Sequence, residues 1–103
     1  MDIEADMTES LYFNRDGSPM TITEWARKFE SGGSRRVAED NIGVVRVSTV
    51  WIGLNHNWSD GPPLIFETMI FGGDHDEHQE RYSTEAQALE GHARAVALVL
   101  CRM

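Results

Sequence analysis

Three groups of side chains in this sequence carry residue types that do chemistry. The first lies in VWIGLNHNW, where His56 sits in a polar tripeptide between Trp51 and Trp58. An imidazole titrates near neutral pH and serves as a general base or a metal ligand, and indoles on either side would hold its ring. The second is Glu67, the one charge in the apolar run LIFETMIF. A carboxylate there either faces solvent or is buried with a partner, and buried carboxylates are good acid–base candidates. The third is GGDHDEHQE, in which His75 and His78 stand among Asp74, Asp76, Glu77 and Glu80.

Each pattern is weak as chemistry. In an extended segment, residues three apart point to opposite faces, so His75 and His78 would not share one metal. The run also lacks the Gly that a calcium loop places at its sixth position. An acidic turn is therefore expected, with no metal. His92, in EGHARA, falls on or beside the core stripe of a helix and reads as a partly buried structural histidine. Cys101 sits in an apolar helix near its end, a poor setting for a nucleophile. The sequence has no GxSxG, P-loop, dinucleotide fingerprint, CxxC or HExxH, so no cofactor is expected. A general base without a nucleophile, a metal or a second oriented group has little to act with. The expectation is a protein-binding module rather than an enzyme, with Trp58 as anchor and His56 and Trp51 beside it. The competing expectation is a small enzyme or ligand-binding protein, with His56 and Glu67 meeting at the end of a sheet.

Composition narrows the setting. A chain of 103 residues, 41% hydrophobic and 25% charged, is one globular domain's worth. The formal charge is −8, from 17 acidic and 9 basic residues. Phosphate binding needs a concentrated positive surface, so nucleic acid is not expected as the main partner. Arg27, Lys28, Arg35 and Arg36 lie close in sequence and read as a solvated basic face. A single cysteine excludes an intramolecular disulfide. The acidic opening MDIEADMTES lacks the positive start and apolar stretch of a secretory signal. A cytoplasmic location away from membranes is the expectation.

The elements that must position these residues follow from periodicity. Residues 1–9 read as a flexible acidic tail ahead of a single domain over 10–103. Leu11–Phe13 predicts a short strand, and NRDGSP a turn. Thr21 and Glu24 form a capping box ahead of a helix over 22–30, whose apolar stripe is Ile22, Trp25, Ala26 and Phe29. A strand over 36–39, a hairpin turn at 40–43 and a strong β-branched strand over 44–53 follow. The loop NHNWSDGPP leads to a strand over 64–72, and His78–Tyr82 predicts a further strand. Ser83-Thr84 caps a helix over 85–102, with Leu89, Ala93, Val96 and Leu100 as its expected core stripe. The order β-α-β-β-β-β-α predicts a two-layer α+β domain with an antiparallel sheet of four to five strands. Both long strands carry apolar groups on both faces, and the last helix is apolar nearly all round. A homodimer using the uncovered sheet face or that helix is therefore expected.

Several segments together resemble a family. They are Ser48-Thr49-Val50-Trp51 with Gly53-Leu54, PPLIFETM over 62–69, Phe71-Gly72-Gly73, RYSTEAQALEGH over 81–92, and YFNRDGSPMTITEWARKFE over 12–30. In these the chain resembles small non-structural proteins of actinobacterial phages, those of mycobacteriophages especially. The resemblance implies a context rather than a chemistry: action in the cytoplasm of an infected host cell, on a host or phage protein.

Overall fold

The computed structural model describes residues 11–30, 35–57 and 60–101. The fold is α+β. In chain order the elements are β1 (Tyr12–Phe13), β2 (Pro19–Met20), α1 (Ile22–Glu30), β3 (Arg36–Ile42), β4 (Val45–Trp51), β5 (Phe66–Phe71), β6 (Gln79–Tyr82) and α2 (Glu85–Cys101). The sheet of β3, β4, β5 and β6 is antiparallel throughout, with its strands side by side in chain order. β1 and β2 form a separate two-stranded ribbon.

The helix starts follow the local signals. Thr21 and Glu24 exchange side-chain and backbone hydrogen bonds at 2.9 and 3.1 Å, the reciprocal capping box. Thr84 and Gln87 repeat it at α2: the Gln87 side chain accepts from the Thr84 amide, and the Thr84 hydroxyl accepts from the Gln87 amide. In the turn after β1, the Ser18 amide and hydroxyl both donate to Asp16, and these bonds hold its carboxyl below the usual carboxylate range.

Two local expectations are corrected. The ribbon strand β2 falls where the sequence reads as plain turn. Its pairing, Tyr12 to Met20, is too short to leave a period-two signal. The first long hairpin turns later than expected. Asp40, Asn41 and Ile42 stay in β3, pairing with Val47, Arg46 and Val45, and the turn is Gly43-Val44. Gly43, with φ +61°, takes the first central position, where a two-residue turn of type II′ needs a glycine.

Register sorts the sheet into two faces. Val47 pairs with Ile70, Thr49 with Thr68 and Trp51 with Phe66, and all six side chains are buried under α2. Arg46, Ser48, Val50, Glu67, Met69, Phe71, Gln79 and Arg81 alternate with them and occupy the opposite face. α1 packs at the end of the sheet through a run of rings, Tyr12–Trp25–Phe29–Trp51, with centroids 4.6 to 5.7 Å apart. The Trp25 indole donates to the Ile52 carbonyl at 2.9 Å, and the Trp51 indole to the Phe13 carbonyl at 2.9 Å. Gly53 makes this close approach feasible: a Cβ there would stand 2.6 Å from both Trp25 and Trp51.

The core face of α2 is Ala88, Gly91, His92, Ala95 and Val99. This corrects three positions of the stripe read from the sequence: Leu89 is 48% and Leu100 54% exposed and Ala93 is also exposed, while Val96 is half-buried against the core. Small residues win the inner face because the helix lies close on the sheet. A Cβ on Gly91 would meet the Tyr82 hydroxyl at 2.0 Å.

Candidate functional site

A row of polar side chains crosses the sheet between two apolar clusters, one around Trp51 and Phe66, the other around Val47 and Ile70. His92, from α2, is its centre. The His92 Nε2 lies 2.8 Å from Asp40 Oδ2, and Nδ1 lies 2.7 Å from Thr49 Oγ1. The Thr49 and Thr68 hydroxyls meet across β4 and β5. A carboxylate can only accept, so Nε2 donates to Asp40, and the Thr49 hydroxyl bridges the imidazole Nδ1 and the Thr68 hydroxyl. Beyond Thr68 lies the Tyr82 hydroxyl, which donates to Glu80 at 2.9 Å, and Arg94 donates to Glu80 at 3.3 Å. Burial pushes the Tyr82 phenol up to about 12, with Glu80 adding to the rise and the Thr68 hydroxyl and Arg94 opposing it.

The order carboxylate, imidazole, hydroxyl is that of a hydrolase relay. Access decides against that use here. Thr49 and Thr68 are 0% exposed and His92 is 6% exposed. A substrate carbonyl cannot approach a hydroxyl sealed between sheet and helix, and a nucleophile must be reached before it can attack. The row is a satisfied polar layer in the core. Each hydroxyl in it would cost about 1–3 kcal/mol if left without a partner.

The residues singled out from the sequence are not brought together. Trp51 is 1% exposed and anchors the core. Trp58 lies outside the described residues. His56 is half-buried, and its amide donates to Leu64 O at 3.0 Å. Its ring makes no hydrogen bond among the described residues. The order around His56 comes from its neighbours: Asn55 Oδ1 accepts from the amides of Asn57 and Leu64, at 2.8 and 3.0 Å, and Asn57 donates to Pro62 O at 2.8 Å. Glu67 is on the open face of the sheet, opposite Val50. Arg81 at 3.1 Å and Gln79 hold it, leaving its side chain 14% exposed. No hydrogen bond or ion pair joins His56 to Glu67 among the described residues. The Gly73–His78 turn is tight, with the His78 amide donating to His75 O and Glu77 at φ +73°. Among the described residues no three His, Cys, Asp or Glu side chains converge as a metal site would need.

The sequence reading missed Asp40, Thr49 and Thr68. A signal was there: two threonines at inward positions of adjacent apolar strands, facing a histidine on the covering helix. The pairing of β4 with β5 is what makes the two threonines neighbours.

On the open face, charged groups cover apolar ones. The Arg46 guanidinium lies 4.4 Å over the Phe71 ring, and Glu39 stands 3.9 Å from Arg46 and 3.5 Å from Arg36. Beside them is a hollow of about 400 Å³ bordered by Phe29, Arg35, Arg36, Arg46, Ser48 and Ile52. No helix among the described residues is long and apolar enough to cross a membrane. Comparison with family models, with curated proteins and with solved structures finds no match to this chain.

Proposed function

We propose that this protein is a binding module that docks on another protein through the open face of its sheet and the adjoining 54–63 loop. One observation carries the reading. The imidazole and hydroxyls of the only relay-like constellation among the described residues are sealed in the core, whereas the open face presents Val50, Met69 and Phe71 beneath a fringe of arginines. Apolar surface rimmed by charge is what protein-binding faces present, with aromatic and Arg residues supplying the anchors. The resemblance to small phage proteins supplies the setting: a host or phage protein as partner, in the cytoplasm of an infected cell. Trp58 is the expected anchor, with His56 as a lesser polar contact.

A purified tagged chain incubated with host lysate tests this, with Phe71→Asp and Trp58→Ala as comparators. The partner captured by the parent chain should be lost from both variants while their melting temperatures stay near the parent's. Capture that survives both changes would overturn the reading.

The same reading includes a homodimer. Leu89, Ala93, Val96 and Leu100 recur at spacings of four, three and four along α2, the spacing of a helix-pair seam; Leu89 and Leu100 are about half exposed, while Val96 packs partly against the core. Light scattering should give twice the chain mass for the parent and the single-chain mass for Leu89→Glu/Leu100→Glu. A parent mass of one chain at all concentrations would sink the dimer.

A further inference from the structure

We propose that the hollow bordered by Arg35, Arg36 and Arg46 takes a short acidic segment of the partner, carboxylates flanking a pair of apolar side chains. The proposal rests on the binding-module reading and adds what that surface recognises. Nine basic residues serve the whole chain, and three of them border this one hollow of about 400 Å³. Among the described residues only one carboxylate, Glu39, reaches them, from the side of Arg36 and Arg46. Locally the charge is therefore positive within a chain of net charge −8. Screening over about 8 Å at physiological salt lets that local sign decide a contact.

The arginines are also held in place. Arg35 stacks 4.8 Å over Phe29, and Arg46 lies 4.4 Å over Phe71. A guanidinium lying on a ring keeps its N–H edge for a ligand, and its planar fork matches a carboxylate. No ion pair engages Arg35 among the described residues. The Ser48 hydroxyl, on the same wall, makes no hydrogen bond among them and adds a neutral donor. Phe29, Val50 and Ile52 supply an apolar surface between these donors. Donors around a greasy floor suit an anion that carries an apolar group, which bare phosphate lacks. A nucleic acid strand would bring a long run of charge against the acidic remainder of the surface, whereas a peptide brings two to four carboxylates.

Fluorescence anisotropy with the labelled hexapeptide Glu-Glu-Leu-Phe-Glu-Glu tests this on the full chain. The peptide should bind the parent, and Gln-Gln-Leu-Phe-Gln-Gln and Glu-Glu-Gly-Gly-Glu-Glu should each bind about ten-fold more weakly or worse. Arg35→Gln/Arg36→Gln should lose about ten-fold in affinity at an unchanged melting temperature. Arg27→Gln, away from the hollow, should bind as the parent does. Equal binding of the glutamine peptide overturns the proposal, as does parent-like affinity of the double variant. Displacement of the peptide by inorganic phosphate or by a single-stranded oligonucleotide at lower concentration would overturn it in favour of those anions. If the peptide fails while Phe71→Asp still abolishes capture of a partner from lysate, the acidic-segment proposal falls and the binding-module reading stands.

Discussion

The two faces of the four-stranded sheet each carry a polar row, and the rows obey different rules. Under α2, Asp40, His92, Thr49 and Thr68 form a chain in which the inner members have no water to fall back on. On the opposite face, Glu67 pairs with Arg81, and Glu39 with Arg36 and Arg46, beside solvent. Hydrogen bonds in the first row must all be made or the fold loses about 1–3 kcal/mol at each orphaned group. Ion pairs in the second row compete with hydration and contribute about 0–1 kcal/mol each. The covered row therefore defines the fold. The open row is left to recognition, since its groups can exchange water for a partner at little cost.

The strongest way to break this comparison is His92→Ala. It removes one of the two partners of the Thr49 hydroxyl and leaves a void at the sheet–helix contact, so a loss of about 3 kcal/mol is expected. At about 4–8 °C per kcal/mol for a domain of this size, the melting temperature should fall by more than about 10 °C. A drop of only a degree or two would mean that the polar layer is dispensable. Thr49→Val keeps the shape and removes only the hydroxyl, with an expected cost of about 2 kcal/mol. Combining it with Thr68→Val should cost less than the sum of the two single changes, because each already breaks the shared bond. Strict additivity in denaturant titrations would deny the coupling.

The Tyr82 phenol offers a pH test of the covered row. Its folded value lies at about 12, above the ordinary value of 10.0. Both states are protonated below about pH 10, so the contribution is fully present there. Between about 10 and 12 the unfolded chain sheds its proton first, and stability falls as pH rises. A fall of about 1–2 kcal/mol over that window is expected from this residue, and Tyr82→Phe should remove it. A variant whose alkaline profile matches the parent's would contradict the assignment. The smallest effect belongs to the open row. Arg81→Ala should cost no more than about 1 kcal/mol, shrinking further as salt is raised. A loss comparable to that of His92→Ala would erase the distinction between the faces.

Local signals in the chain specified most of the secondary structure. The capping boxes at Thr21–Glu24 and Thr84–Gln87, the β-branched run of β4 and the Gly-Pro-Pro break after it each act within a few residues. Strands joined by short connections pair with their neighbours, so an antiparallel sheet with helices against it followed from order alone. Other choices depend on what faces what across the fold. α2 is apolar at two adjacent stripes, and spacing cannot say which is inward. The sheet decides, by bringing the Tyr82 hydroxyl to where only Gly91 leaves room and by offering Thr49 to His92. Likewise, Asp40 reads as a turn residue until the strand register places it beside the helix, 52 positions before the histidine it pairs with. Glu67 reads first as a solvent-facing carboxylate, with burial beside a partner as the alternative, until β6 sets Arg81 directly opposite. Propensity and capping are properties of a few neighbouring residues. Burial, a hydrogen-bond partner and the choice between two helix faces are properties of surfaces that exist only once distant segments have met.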